Sequence, residues 1–498
     1  MTVQPPPSTQ VSPAPEDVLD TPEAGGLLVR GAAFRFGSYV GVVATSVLSA
    51  ALLTRHLGTV RFGQYTTIMS LTAVVANVTD AGMSNLGTRE YAVLEGEARE
   101  NMMRDLLGLR LALTLLGIPL AVAFAAAAGY SAALLIGTIL AGLGTVAIVF
   151  GHTLSIPLST ALRIGAISVL DLARQVVAVI GIALLVLAGS GVVGFLAVPV
   201  AANLLLIPPT WRLVRGRISL RPGLRPRAWA GLLKPTIAFS IATAIGTMYV
   251  YTTQIITSLV STPHQAGLFA VSFRVFLVVG GIPGLVVAAT LPLLARAARD
   301  DQQRLAYALQ RIFEVAVVAG LGCAIALAAG AGFIVDVVAG HGYHGSVTPL
   351  RLQAIALPAS FMVAGWAYGV LSLRRHRQLL LSSTAAFVVS CALTVALASA
   401  YGARGAAGAT IAGELTLALA TLLALVRGSP QLRPHLTHAA RAVAAAVPAA
   451  AVAFAAGLPS LPAAMLAGCV YTAGVLILRA LPGELLALLP SRFRPAPK

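Results

Sequence analysis

Residues 132–155 decide the fold class, because they read AALLIGTILAGLGTVAIVFGHTLS, without one Asp, Glu, Lys or Arg. At a rise of about 1.5 Å per residue, this run is long enough as a helix to cross a hydrocarbon layer of about 30 Å. Similar apolar runs recur along almost the whole chain. An open sheet would leave backbone groups unsatisfied in lipid, so we predict an all-α polytopic membrane protein with about fourteen transmembrane helices.

The composition supports this class and argues against a nucleic-acid partner. The chain has 498 residues, of which 58% are hydrophobic and 10% charged, with a mean hydropathy of +0.88, whereas soluble domains carry about 25% charged residues. The net charge is +17, but the basic residues lie in short loops between apolar runs rather than in one stripe or tail. Their placement therefore indicates topology.

Lys and Arg should concentrate on the cytoplasmic side. If the N-terminus is inside, 28 of the 34 basic residues fall in cytoplasmic segments. The exceptions are Arg55, Arg61, Arg351 and Arg404 on the opposite side, and Arg35 and Arg274 within spans. We therefore predict a multi-pass protein of a bacterial inner membrane with both termini cytoplasmic; 32 Arg against 2 Lys fit a GC-rich bacterial genome.

An internal repeat divides the chain. The first span begins at Arg30 and the second at Gly63-Gln64-Tyr65. The seventh span begins at Lys234 and the eighth at Gly267-Leu268-Phe269, each 204 residues after its counterpart. Parallel repeats of this kind place a substrate site between the two copies.

The predicted organisation follows from this repeat and from a basic, proline-containing stretch at mid-chain, which could also contact anionic lipid or substrate phosphate. It comprises a disordered cytoplasmic tail (1–29), an N-lobe of six helices (30–213), a basic cytoplasmic linker (214–234), a C-lobe of six helices (235–427), and two further helices with a cytoplasmic tail (428–498).

Arg35 and Arg274 are the first candidates for a site. An ionisable group at a helix centre costs at least about 2.5 to 3.5 kcal/mol in lipid, so each needs a partner, a cavity or a function. Arg274 lies roughly 10 Å into the eighth span. A guanidinium offers a planar fork of donors that suits a diphosphate. We predict that both line a central cationic cavity and bind substrate; the alternatives are a helix–helix ion pair or, for Arg35, snorkelling.

Two carboxylates and several neutral polar groups complete the candidates. Asp80 would form an ion pair with Arg35 or cap the second span, whereas the deeply placed Glu414 would take up H+ or Na+, neutralise an arginine or stay protonated. Candidates for contacts with sugar hydroxyls are Asn77, Gln254 and Tyr249, with Tyr251 and His152; bonding to a neighbouring helix is the alternative.

The sequence gives little support for an enzymatic function. The sequence contains no GxxxxGK[ST], HExxH or GxSxG motif. His341 and His344 stand together in a loop, but two ligands are too few for a typical metal site, so we expect no metal and no cofactor beyond a coupling ion.

Several motifs resemble those of Wzx-like oligosaccharide flippases of the multidrug/oligosaccharidyl-lipid/polysaccharide (MOP) exporter superfamily, over roughly residues 27 to 430. They are Leu57-Gly58-Thr59-Val60-Arg61-Phe62-Gly63-Gln64-Tyr65, Asp80-Ala81-Gly82-Met83 and Arg89-Glu90, and later Ala266-Gly267-Leu268-Phe269-Ala270-Val271-Ser272-Phe273-Arg274, Leu291-Pro292-Leu293-Leu294 and Gly342-Tyr343.

This resemblance implies two pseudo-symmetric six-helix lobes around an alternately opening cavity, with two extra helices in some branches. It also implies undecaprenyl-diphosphate-linked sugars as substrates and, by similarity to lipid II flippases, cavity arginines on the first and eighth helices, here Arg35 and Arg274. We predict a flippase, not an enzyme, that moves a lipid-linked oligosaccharide to the outer leaflet for cell-surface polysaccharide biosynthesis. Its partners would be this substrate, membrane lipids and polysaccharide polymerase or ligase machinery.

Two rival functions remain open. A MATE-type drug or cation antiporter of the same superfamily would need an acidic cavity, whereas the spans here offer two arginines against one deep carboxylate. A membrane polymerase or glycosyltransferase usually has a large outer loop, and the longest outer loop here covers only residues 334–349.

Overall fold

The computed structural model of the chain describes residues 22–80, 82–161, 163–216, 221–233, 237–288, 290–455 and 457–481, with most side chains from residue 41 onward. Over these residues the chain is helical and contains no strand. The predicted all-α class is therefore confirmed.

The α-helices, in chain order, are α1 (Pro22–Asp80), α2 (Met83–Val93), α3 (Gly96–Ala127), α4 (Ala132–Leu154), α5 (Ile156–Thr160), α6 (Ile164–Leu187), α7 (Val192–Val214), α8 (Pro226–Leu233), α9 (Ile237–Val260), α10 (Pro263–Gly280), α11 (Ile282–Ala288), α12 (Leu291–Asp300), α13 (Gln302–Val338), α14 (Val347–Ala354), α15 (Leu357–Ser372), α16 (His376–Tyr401), α17 (Ala403–Val426), α18 (Thr437–Ala455) and α19 (Ser460–Ile477). Short 3₁₀ helices cover His341–Ser346 and Pro430–Leu432.

Among the described residues, 11 helices are long and apolar enough to cross a membrane, or up to 12 if the bent pair His341–Ala354 and Leu357–Ser372 forms one span. The chain is thus a multi-pass membrane protein, and the predicted number of about fourteen spans is not confirmed. One counted helix, Gly41–Val93, includes a break within α1, and α9 is not among the 11.

Helix α1 folds back on itself at Gly58, whose φ of 68° and ψ of 175° are not helical. Before this break, Ser46 accepts a hydrogen bond from Arg274 of α10; after it, Gly63 packs against Gly267. Ser46 and Gly63 would lie about 25 Å apart in one straight helix, but their partners on α10 are only about 10 Å apart. The chain therefore reverses at Gly58, and two antiparallel segments of α1 both contact α10.

The residues that meet where α1 crosses α10 occupy equivalent positions of the repeat, 204 residues apart. A Cβ atom on Gly63 would lie 2.3 Å from the carbonyl oxygen of Pro263, and one on Gly267 would lie 2.0 Å from that of Thr59. Thr59 and Pro263 are themselves 204 positions apart. The offset of 204 therefore converts the contact of Gly63 with Pro263 into the contact of Gly267 with Thr59. Paired contacts of this kind are typical of an isologous interface. Two glycines allow the backbones to approach this closely.

Close to this crossing, α1 packs against the end of α13 and the loop that follows it, and we call this contact the seam. It lies at one end of the molecule, the Gly58 face; the opposite end is the Asp80 face. Thr54 Oγ1 donates to the carbonyl oxygen of Val338 at 3.2 Å, and the hydroxyl of Tyr343 donates to that of Thr54 at 3.4 Å. Arg55 donates to the carbonyl oxygen of Val337 at 3.2 Å. Residues 54 and 55 of α1 thus bind the end of α13 and the following loop.

Helices α18 and α19 pack against α13. Tyr471 of α19 donates its hydroxyl to the carbonyl oxygen of Val318 at 2.8 Å and lies against Gly322. The two helices that have no equivalent in the repeat are therefore attached to α13.

Gly267→Ala should destabilise the protein. A methyl group there overlaps the carbonyl of Thr59, so the helices must separate, and overpacking of this kind costs about 1–3 kcal/mol. The expected result is a lower thermal unfolding temperature in detergent. Gly468→Ala is the matched control, because a Cβ at this helical glycine meets no described residue within 4 Å. Equal unfolding temperatures in the two variants would contradict the crossing.

Candidate functional site

Arg274 lies inside α10, within a segment whose neighbours Phe273 and Phe276 are buried. Its Nη2 donates to Ser46 Oγ at 2.9 Å and to the Ser46 carbonyl oxygen at 3.3 Å. Tyr65 is its electrostatic neighbour. Among the described residues, no carboxylate lies within ion-pairing distance of this guanidinium. The ion-pair alternative therefore gains no support, and Arg274 has an unneutralised charge where α1 meets α10.

Gln254 of α9 contacts α10 and the segment of α1 that follows Gly58. Its Nε2 donates to the carbonyl oxygen of Ala266 at 3.2 Å and to Thr66 Oγ1 at 3.4 Å, while its buried Oε1 has no hydrogen-bond partner among the residues that the structure describes. An unsatisfied buried amide oxygen is costly, about 1–3 kcal/mol. It can accept a hydrogen bond from a ligand hydroxyl.

Asn77 is held within its own helix and by α9. Its Nδ2 donates to the carbonyl oxygen of Ala73 at 2.7 Å, and its side chain shares a hydrogen bond with Tyr251. Asn77 and Tyr251 therefore connect the second half of α1 to α9. The second predicted arginine, Arg35, has a side chain outside the described residues.

Tyr249 and Glu414 form a separate polar group among α9, α15 and α17. Glu414, only 9% exposed, accepts from the hydroxyl of Tyr249 at 3.2 Å through Oε1 and from Ser360 Oγ at 2.7 Å through Oε2. Over the described part of the chain, no Lys or Arg forms an ion pair with it. Tyr249 is thus engaged with Glu414, and the donors that the described structure gives this carboxyl are both hydroxyl groups.

Asp80 pairs with Arg110 of α3 and accepts from Ser84 Oγ at 2.5 Å. The described structure thus gives Asp80 a partner other than the predicted Arg35. Arg110 is 1% exposed, and its Nε and Nη1 have no hydrogen-bond partner within the described residues. We refer to this pair together with the neighbouring His152, Asp171 and Arg174 as the Arg110 cluster.

The rest of the Arg110 cluster lies on α4 and α6. Arg174 donates to Asp171 at 2.8 Å, the i,i+3 ion pair typical of a helix surface, and lies 3.4 Å from His152 Nε2. Arg110 also interacts electrostatically with His152. The cluster therefore links α1, α3, α4 and α6 near the Asp80 face.

Sequence reasoning missed Arg110 by counting it with the cytoplasmic residues. It stands only five positions into the apolar run 106–128 and is the one charged residue of that run. A single charged residue within an apolar run was the feature that could have identified Arg110 as buried. The side chain is buried because Asp80, thirty positions earlier, neutralises it.

Part of the basic linker is fixed to α3. Arg225 donates through Nε and Nη2 to the two oxygens of buried Asp105, at 2.9 and 2.7 Å, and Gly223 N donates to the carbonyl oxygen of Arg104 at 2.7 Å. A bidentate pair of this kind is geometrically specific. Arg225 therefore serves to anchor the linker.

A cavity of about 1060 Å³ opens at the Asp80 face, between α2, α3 and α7. Its lining includes Tyr91, Arg99, Glu100, Trp211 and Arg215, and the guanidinium of Arg99 lies 4.8 Å from the centre of the Tyr91 ring. This cavity does not include Arg274. It is a cationic and aromatic cleft distinct from the junction of α1 and α10.

Comparison with solved structures identifies the fold. The lipid II flippase MurJ in an inward closed conformation is 13% identical, with a TM-score of 0.75 over 91% of this chain and 98% of that one. An inward-facing multidrug resistance MATE family transporter of the MOP superfamily is 12% identical, with a TM-score of 0.63 over 80% and 98%. A MOP superfamily transporter from Pyrococcus furiosus, described by the reverse polarity of its binding pocket, is 13% identical, with a TM-score of 0.58 over 84% and 99%.

The sequence comparisons give the family. No curated protein matches the chain. The profile of the polysaccharide biosynthesis protein family, in contrast, matches residues 52–348, which include the reversal at Gly58, Arg274 and the loop after α13. This chain, with its MOP-type fold, is therefore a member of the polysaccharide biosynthesis protein family.

Proposed function

We propose that this protein flips undecaprenyl-diphosphate-linked oligosaccharide from the cytoplasmic to the outer leaflet by alternating access. The observation that carries the proposal is Arg274, a cation within a membrane helix whose hydrogen-bond acceptors are the two neutral oxygens of Ser46. A diphosphate would supply the negative charge that the described surroundings lack, and a guanidinium fork suits its oxygens. Membership in a polysaccharide biosynthesis family agrees with a glycan on that diphosphate.

The distribution of basic residues orients the molecule in this proposal. The Asp80 face lies in the cytoplasm of a bacterium with both termini, and the Gly58 face lies outside. Residues 30–213 and 235–427 form two lobes of six helices, joined by the linker 214–234 and followed by the helices of 428–498. The head group enters between the lobes while the polyprenyl chain stays in lipid.

Arg274 and Arg35 would hold the diphosphate, and neutral groups would receive the sugar. The free Oε1 of Gln254 is a ready acceptor for a hydroxyl group, and Asn77 lies on the adjoining helix α1. The cationic cleft at the Asp80 face is a place for the head group to arrive before it reaches the lobe interface.

A MATE-type antiporter is the alternative, and the fold is compatible with it. A cationic drug would need an exposed carboxylate in the cavity. Glu414, in contrast, is buried and engaged by Tyr249 and Ser360, and Asp80 is neutralised by Arg110. These contacts favour an anionic substrate. We propose transport without a chemical step, with a polymerase or ligase acting on the delivered glycan.

Glu414 is the proposed coupling group. A buried carboxyl with only hydroxyl donors around it can exchange a proton, or hold Na+ with the same oxygens, at a lower cost than one fixed in an ion pair. Binding and release of this ion would bias the packing of α9, α15 and α17 and so drive the lobes between their two arrangements.

Arg274→Ala should reduce glycan export by about tenfold to 150-fold, because hydrogen bonds to a charged group contribute about 1.5–3 kcal/mol. Protein amount and thermal stability should be unchanged or higher, since the change removes a charge that, in the described structure, only neutral groups stabilise. Arg274→Lys should retain partial export. The measurement is surface polysaccharide per unit of protein in complemented cells.

The control for this substitution is Arg351→Ala, which removes an arginine that lies over the ring of Phe454 on the Gly58 face rather than at the α1–α10 junction. It should export normally. Full export by Arg274→Ala would refute the diphosphate role.

Glu414→Gln should abolish the response of transport to an imposed H+ or Na+ gradient while leaving the fold intact, because the amide keeps the shape and loses the charge. Initial rates in proteoliposomes with and without a gradient provide the measurement. Ser360→Ala, which removes one donor but keeps the carboxyl, should still respond. A gradient response in Glu414→Gln equal to that of the wild type would show that Glu414 is structural.

A further inference from the structure

Three potential metal ligands converge on the Gly58 face, at the end of α13. Asp336 belongs to the last turn of that helix, while His341 and His344 lie on the 3₁₀ helix that follows. Gly340, at a φ of 81°, turns the chain back between them. The sequence offered only the two histidines as a pair; the fold adds the carboxylate.

The three ligand atoms form a nearly equilateral triangle. His341 Nδ1 lies 3.4 Å from His344 Nε2 and 3.5 Å from Asp336 Oδ1, and His344 Nε2 lies 3.7 Å from that same oxygen. Around a tetrahedral zinc ion, with bonds of about 2.0–2.2 Å, neighbouring ligand atoms are about 3.3–3.6 Å apart. The observed spacing is therefore close to that of one face of such a tetrahedron.

The carboxylate is placed as a ligand would be. Asp336 Oδ1 is buried and has no hydrogen-bond partner in the described part of the chain, although both imidazoles lie next to it. A solvated surface carboxylate would instead turn its oxygens to water, and a buried unpaired oxygen is costly. The histidine side chains are 87% and 60% exposed, so an ion could reach the triangle from solution.

We propose that Asp336, His341 and His344 bind one divalent transition-metal ion of the zinc class, with a fourth position open to water. Two imidazoles and one carboxylate suit Zn²⁺, Co²⁺ or Ni²⁺, whereas Ca²⁺ and Mg²⁺ prefer oxygen ligands throughout. The sequence predicted no metal because only His341 and His344 were recognised as ligands; Asp336 is the third.

The position of the site indicates what the ion would do. The segment that carries the ligands also provides the carbonyl oxygens of Val337 and Val338 to Arg55 and Thr54, and Tyr343, between the two histidines, reaches Thr54 in turn. An ion at the triangle would fix this loop against the end of α1. The bound metal would therefore hold the seam on the Gly58 face closed.

Co²⁺ titration of the full chain tests the site, because tetrahedral Co²⁺ gives visible absorption bands. The protein should be purified without a polyhistidine tag, stripped with a chelator and kept in detergent or nanodiscs. We expect one Co²⁺ per chain, displaced by Zn²⁺ and not by excess Mg²⁺, and a higher thermal unfolding temperature with Zn²⁺. His341→Ala, His344→Ala and Asp336→Asn should each weaken binding at least about tenfold and remove the stabilisation by Zn²⁺.

His376→Ala is the control, since this exposed histidine begins α16, away from the triangle; it should bind metal as the wild type does. No Co²⁺ bands in the wild type, or equal binding in the wild type and the double variant His341→Ala/His344→Ala, would overturn the proposal and leave a hydrogen-bonded histidine pair. Binding is measured without transport, so this result is independent of the flippase proposal.

Discussion

The close crossing of α1 and α10 is the contact on which the rest of the structure depends. Gly63 and Gly267 place each backbone against the carbonyl of the other, so neither helix can shift without the other. This crossing brings Ser46 to Arg274, and Thr66, one turn after Gly63, to Gln254. Because equivalent positions of the repeat meet there, the contact lies on the local symmetry axis between the two copies. In the proposed alternating-access cycle, a cavity between the copies would open and close around it.

The charges inside the helices fall into three environments, and each suggests a different role. Arg110 is neutralised by Asp80, which suits a structural cluster joining four helices. Arg274 has only neutral acceptors among the described residues, so its positive charge is available to an anionic ligand. Over the described residues Glu414 has only hydroxyl donors, so a change in its protonation or ion occupancy would break no ion pair there. Arg274 and Glu414, whose described partners are neutral, are therefore the groups that we propose to bind the substrate and the coupling ion.

The sequence predicts what depends on local pattern. Apolar runs predict the helices, and the offset of 204 identifies Gly63 and Gly267 as equivalent positions, but it does not predict that they meet. Asp171 and Arg174 stand three positions apart, a spacing typical of a helical ion pair, and they form one. Contacts between distant positions were missed. Tyr249 reaches a carboxyl 165 residues away, and Asp336 joins the histidines because Gly340 turns the chain back. Such contacts depend on the packing of helices, which periodicity does not encode.

The central claim is that the protein moves a lipid-linked glycan across the membrane, and the leaflet that holds this glycan in depleted cells tests it most directly. Spheroplasts of cells depleted of the protein would be treated with an external glycosidase or lectin, and the undecaprenyl-diphosphate-linked glycan would be quantified. The account predicts accumulation of glycan that stays inaccessible until the membrane is opened. Accessible glycan at normal levels, together with new sensitivity to cationic drugs, would contradict it and favour the antiporter.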